Sequence, residues 1–149
     1  MTGLIPNDAV AIGVGAFFGA MSRYQAGRLA GEWIAKDPSL KKFQGWHTAA
    51  INVGGSFALG VVSAFPLFVE SAKPSSAPSF ALSTRAKLML GVGFCGSFTT
   101  FSTYSVDIAT WVAQGHTSAA MRYVMVNNVG GVTAAFAGLM LVNKIFKKL

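Results

Sequence analysis

The chain has 149 residues, of which 52% are apolar and only 11% charged, against the roughly 25% charged residues of a soluble domain. Its twelve Lys and Arg against five Asp and Glu give a net charge of +7, but they are scattered, singly or in pairs, at the ends of apolar blocks, as membrane anchors are. A nucleic-acid-binding surface needs a polar fold to carry its basic face, and no polar segment is long enough to build one.

The apolar residues gather into four blocks, about 9–30, 48–69, 87–113 and 119–145, each near the ~20 residues that cross a hydrocarbon core of about 30 Å. The expectation is an all-α, multi-pass integral membrane protein with one four-helix transmembrane domain over residues 1–149. The start, "MTGLIPNDA", has neither the basic stretch nor the cleavage pattern of a signal peptide, so the first block is expected to be kept.

In the first block Gly15 and Gly19 have the spacing that lets helix backbones approach in lipid, and the block runs into Arg23 and Tyr24. Trp33 and Trp46 edge the first loop and suit the membrane interface, as does His47. The second block carries Asn52 within "TAAINVGGSF". An amide at membrane depth is costly without a partner, so it faces either another helix or a wet path. The connection "SAKPSSAPSFALST" reads as a flexible link.

The third block, containing "GVGFCGSFTTFSTY", puts glycines and hydroxyls at mid-span. A backbone released from helical bonding there must be buried in protein or line a polar cavity, where its carbonyls can hold a cation. A simple kink, with Ser and Thr bonded back to their own helix, is the other reading. Gly91, Gly93 and Gly96 fit a dinucleotide-binding pattern, but the preceding strand and the later acid that this motif needs are missing. Cys95 reads as packing. Phe101 and Tyr104 share a helix face; they are core residues or they turn positive ring edges to an anion. After the short loop "QGHTS", with His116 at the interface, the fourth block holds Tyr123, Asn127 and Asn128, with Gly130, Gly131 and Gly138 as further seam glycines. Together with Ser102 and Thr103, these amides and hydroxyls either glue the bundle or replace the water around an anion. No nucleophile, base and acid set lies within the spans, so an enzyme is not expected.

With four spans, one side has Lys73, Arg85, Lys87, Lys144, Lys147 and Lys148, and the other has Arg23, Arg28, Lys36, Lys41, Lys42 and Arg122. Orientation follows an excess of Lys and Arg on the cytoplasmic side, so an even split leaves both insertions open.

The combination resembles the Fluc (CrcB-type) fluoride channels over nearly the whole chain. The matching segments are "GAFFGAMSRY" at 15–24, "TAAINVGGSFALG" at 48–60, "GFCGSFTTFSTYSVD" at 93–107, and Tyr123, Asn127 and Gly131 in the fourth block. The resemblance implies a dual-topology channel of two antiparallel copies, or of one copy with a close homologue, in the plasma (inner) membrane. It implies passive fluoride export that protects the cell, through two pathways around a central structural sodium ion.

By motif position, Asn52 matches the pore asparagine, Phe101 and Tyr104 the aromatic box, and Tyr123, Asn127 and Gly131 a polar track; Ser102 and Thr103 join the expected pathway as hydroxyl donors. The carbonyls of Gly96 and Thr99 match the sodium ligands, and Arg23 a basic residue near a vestibule. Tyr104 stands where the family usually has Phe and Asn127 where it more often has Ser. The second loop, about 71–84, is longer than a compact member needs. The rival is a four-span multidrug or cation transporter of dual topology, which needs a titratable carboxylate deep in a span. Asp8, Glu32, Glu70 and Asp107 lie towards block ends or beyond the third-block glycines, and Asp37 is in a loop.

Overall fold

A computed structural model describes residues 6–66 and 81–146. Most of the second loop, the end of the second block and Lys73, Lys147 and Lys148 lie outside the described residues. The first helix, α1 (Pro6–Lys36), has Pro6 and Asp8 in its first turn, where a fixed φ and a negative charge suit the free amides. It ends before Pro38 because the residue ahead of a proline is pushed out of the helical region. Asp37 is accordingly extended, and its side chain accepts from the Ser39 amide to start the 3₁₀ turn Pro38–Phe43.

Gly45, at φ 84°, turns the chain into α2 (Trp46–Ala64), a backbone conformation open to glycine without strain. α2 stops at Phe65, which is extended ahead of Pro66. The third span begins with α3, residues 84–98, capped by the Ser83 hydroxyl on the Ala86 amide. Its middle, Leu88–Cys95, is π-helical. Thr99 and Thr100 then leave the helix, and α4 (Phe101–Ala113) resumes with Thr100 as its cap. A turn at Gly115 (φ 80°) leads to α5 (Thr117–Phe146), which contains a second π-helical segment at Val126–Gly130.

Two close seams hold these rods, and the sequence glycines make both within one chain. α1 lies on α3, where a Cβ at Gly15, Gly19 or Gly93 would strike the carbonyls of Met89, Phe94 or Ile12. α2 lies on α5, where Gly60 faces the Ala135 carbonyl and Gly138 the Phe57 carbonyl. Backbones this close gain dispersion that lipid cannot replace. Gly13 and Gly54 face open space.

Among the described residues α5 is the one helix that is by itself long and apolar enough to cross a membrane. The physical reason lies in the other rods. The third span is divided at Thr99, α2 carries His47 and Asn52 within 19 residues, and the apolar run of α1 is bounded by Asp8 and Arg23.

A candidate ion pathway at the interrupted third span

The interruption is held by a side chain from α2. Thr99 is extended at ψ 159° and Thr100 at φ −148°, ψ 119°. Asn52 Oδ1 accepts the Thr100 amide at 2.8 Å, and Asn52 Nδ2 donates to the Thr100 carbonyl at 3.1 Å. The Thr100 amide can only donate, which fixes which end of the Asn52 amide faces it. The other Nδ2 hydrogen goes to Asn127 Oδ1 at 2.9 Å, and Asn127 Nδ2 donates to the Tyr123 carbonyl at 2.9 Å. One amide therefore ties α2, the interruption and the π-helical segment of α5 together.

This bonding has a consequence for the helix end. In an unbroken helix the Thr100 amide would serve the Gly96 carbonyl, but Asn52 has it. The Cys95 carbonyl keeps both the amide and the hydroxyl of Thr99, each at 3.0 Å, while the Thr99 carbonyl accepts from the Arg23 guanidinium at 3.1 Å. The Thr100 hydroxyl accepts from the Thr103 amide at 3.2 Å and lies 3.1 Å from the Thr103 hydroxyl and 3.3 Å from that of Ser102.

Beside the interruption is a cleft of about 220 Å³ lined by Asn52, Ser56, Thr99, Phe101, Tyr104, Asn127 and Asn128, among others. Phe101 and Tyr104 have ring centroids 5.6 Å apart. Phe101 is 77% exposed, so the cleft lies at the outer face of the chain. Asn52 lines this cleft, yet both its amide hydrogens are committed within the chain. Asn128 likewise gives its hydrogens to the Tyr104 hydroxyl at 2.8 Å and the Val124 carbonyl at 2.9 Å. Among the described residues the hydroxyl hydrogens of Tyr104 and Ser56 have no acceptor, which makes them donors the cleft offers beside Asn127, one of whose two amide hydrogens goes to the Tyr123 carbonyl.

Behind Tyr104 the aromatic contacts continue inward. Tyr104 lies 5.6 Å from Tyr123, which is fully buried and lies 4.9 Å from Trp111 and 5.8 Å from Trp46. The Tyr123 hydroxyl donates to Asp107 Oδ2 at 2.8 Å. Asp107, Trp46, Trp111, Lys41 and His116 border a larger cavity of about 600 Å³ between the first and third loops. Trp46 is thus half-buried against Tyr123 as well as placed at the helix edge.

The remaining expected residues divide by position. Arg23 and Thr103 border a third cavity with Arg28 and His47, and Ser102 is exposed; neither Ser102 nor Thr103 reaches the cleft. Gly131 does not line it either. It is buried in the α2–α5 seam, where a Cβ would stand 3.4 Å from Ser56 Oγ.

Residues 10–139 match the family model described as CrcB-like protein, Camphor Resistance (CrcB). The chain belongs to the CrcB family. It is 36% identical over 133 residues, covering 89% of this chain and 93% of the relative, to the fluoride-specific ion channel FluC of Rhodospirillum centenum (strain ATCC 51521 / SW). It is 34% identical over 141 residues, 95% of this chain and 98% of the relative, to that of Methanocaldococcus jannaschii. A protein of the same name from Chelativorans sp. (strain BNC1) is 41% identical over 100 residues, 67% of this chain and 72% of the relative. The CrcB family is one of integral membrane ion channels, not of enzymes.

Sequence reasoning passed over Ser56 and Thr100 as site residues of this CrcB chain, and named Asn128 only as one of the fourth-block amides that glue the bundle or face an anion. Ser56 carried a usable signal, since it lies one helical turn beyond Asn52 on the same face of α2. Thr100 carried none, because its part depends on where α2 meets the third span.

Proposed function

We propose that this chain is a fluoride-selective channel that exports the anion passively across the plasma membrane, acting as a pair of copies inserted in opposite directions. The observation that carries this is the cleft, where hydroxyl donors and aromatic rings converge with no carboxylate in the lining. Fluoride is small and strongly hydrated, so a path must replace its water with donors yet hold it loosely enough to release it. Neutral hydroxyls and ring edges meet both needs better than a lysine would. The relatives named as fluoride-specific channels, matched over most of their length, support the same reading.

The pairing is supported by the even division of Lys and Arg between the two sides and by the position of the cleft on the outer face, which a second copy would enclose. A central sodium ion would be held by backbone carbonyls of Gly96 and Thr99 from each copy. The Gly96 carbonyl suits such a hard cation, having lost the Thr100 amide to Asn52, whereas the Thr99 carbonyl already accepts from the Arg23 guanidinium and would have to share its oxygen. Sodium bound there would supply positive charge at the midpoint of the pair. Arg23 on the Thr99 carbonyl keeps further positive charge beside the interruption.

The test is efflux from liposomes containing the purified protein, read with a fluoride electrode and repeated with chloride. The expected result is rapid fluoride loss with chloride retained. Equal loss of both anions, or of neither, overturns the reading. Drug or cation uptake driven by a proton gradient would instead favour the transporter, with Asp107 as its carboxylate.

A further inference from the structure

We infer that the cavity of about 600 Å³ between the first and third loops binds the headgroup of a zwitterionic phospholipid with a primary ammonium, a phosphatidylethanolamine. The cavity is separate from the cleft at the interruption, for no residue lines both. The inference does not rest on the channel reading.

The first loop reaches the third span here because Gly45 has no side chain: at φ 84° a Cβ on it would stand 3.0 Å from the Trp111 ring. Trp46 and Trp111, with ring centroids 6.4 Å apart, stand at the start of α2 and near the end of α4. Indoles at helix ends lie at the height of membrane headgroups. The Tyr123 hydroxyl occupies Asp107 Oδ2 at 2.8 Å. Among the described residues Asp107 Oδ1, the Lys41 ammonium and both indole N–H groups have no hydrogen-bond partner. Asp107 is only partly exposed, and a carboxylate drawn out of water gains most from a charged donor.

The fixed charges lining the cavity are one of each sign, Lys41 and Asp107. An anionic headgroup such as that of phosphatidylglycerol would satisfy Lys41 and be repelled by Asp107, and a simple cation would do the reverse. A zwitterion satisfies both, with its phosphate on Lys41 and its cationic end between Asp107 and the Trp rings. A primary ammonium donates to the free carboxylate oxygen, whereas the trimethylammonium of phosphatidylcholine has no N–H to give. A bilayer presents this headgroup at the height of the cavity, and the exposed Val106 and Val112 of α4 offer apolar surface to its acyl chains.

The test is native mass spectrometry of the full chain in detergent, titrated with phosphatidylethanolamine, phosphatidylcholine and phosphatidylglycerol of matched chains and with soluble phosphoethanolamine. Phosphatidylethanolamine is expected to bind at least about tenfold tighter than each of the other three, one charge-assisted hydrogen bond or the acyl contact being of that order. Lys41→Gln and Asp107→Asn are each expected to weaken it about tenfold. Asp107→Asn keeps an oxygen for the Tyr123 hydroxyl and is expected to erase the preference over phosphatidylcholine.

Equal binding of the three lipids, or wild-type affinity in Lys41→Gln, overturns the inference. Soluble phosphoethanolamine bound as tightly as the lipid overturns it in favour of a free phosphate ester. Should Asp107→Asn fail to fold, Lys41→Gln, at an exposed position, decides alone. Protein that shows this lipid preference but passes no fluoride defeats the channel reading and leaves this one standing.

Discussion

At the scale of single residues, the cleft separates groups that hold the backbone from groups that line the proposed path. Asn52 and Asn128 give their amide hydrogens within the chain; Ser56 and Tyr104 line the cleft with hydroxyl hydrogens that no described residue accepts. Ser56→Ala should therefore slow fluoride efflux by about fivefold, and Tyr104→Phe by a similar factor, each removing one hydrogen bond worth about 1 kcal/mol. The electrode assay reads both, and unchanged rates would place the donors elsewhere. Asn52→Asp should abolish efflux, because a fixed negative charge then borders the path of an anion. Full efflux from that variant would remove Asn52 from the channel's working parts.

At the scale of elements, the glycine seams carry the packing. A leucine at Gly19 would drive its Cβ into the Phe94 carbonyl, and one at Gly60 into that of Ala135. Neither backbone can move without parting two helices, so each change should cost several kcal/mol, the range of severe overpacking. The expected readout is loss of monodisperse protein after extraction, or a clearly lower Tm. Gly13→Ala meets open space and should leave the isolated fold unchanged. The two π-helical segments fall where α3 and α5 flank the site. Such segments widen a turn and release backbone bonds, which is why they gather at functional positions.

At the scale of the whole molecule, the even charge division and the outward-facing cleft support the proposed antiparallel pair. Two copies in opposite orientation would bring their open faces together while satisfying no preferred sidedness. Adding two or three lysines to the loop between α1 and α2 should fix one orientation and remove fluoride efflux in cells. Co-expression with a copy biased the opposite way should restore it. Full activity from the single biased copy would argue against antiparallel pairing.

The sequence by itself determined the helical class and marked out polar and aromatic residues within the apolar blocks. It could do so because hydropathy and glycine spacing are local properties: Asn52, Phe101, Tyr104 and Asn127 stood out as polar or aromatic groups in apolar surroundings, and the structure brings them to one cleft. Only the tertiary structure decided what each group is bonded to. That Asn52 closes on Thr100, that Gly131 is turned into a seam, and that Ser56 keeps its hydroxyl free all depend on how α2 meets the third span and α5. Partners for a buried amide are chosen by helix packing, and one sequence pattern is compatible with several such partners.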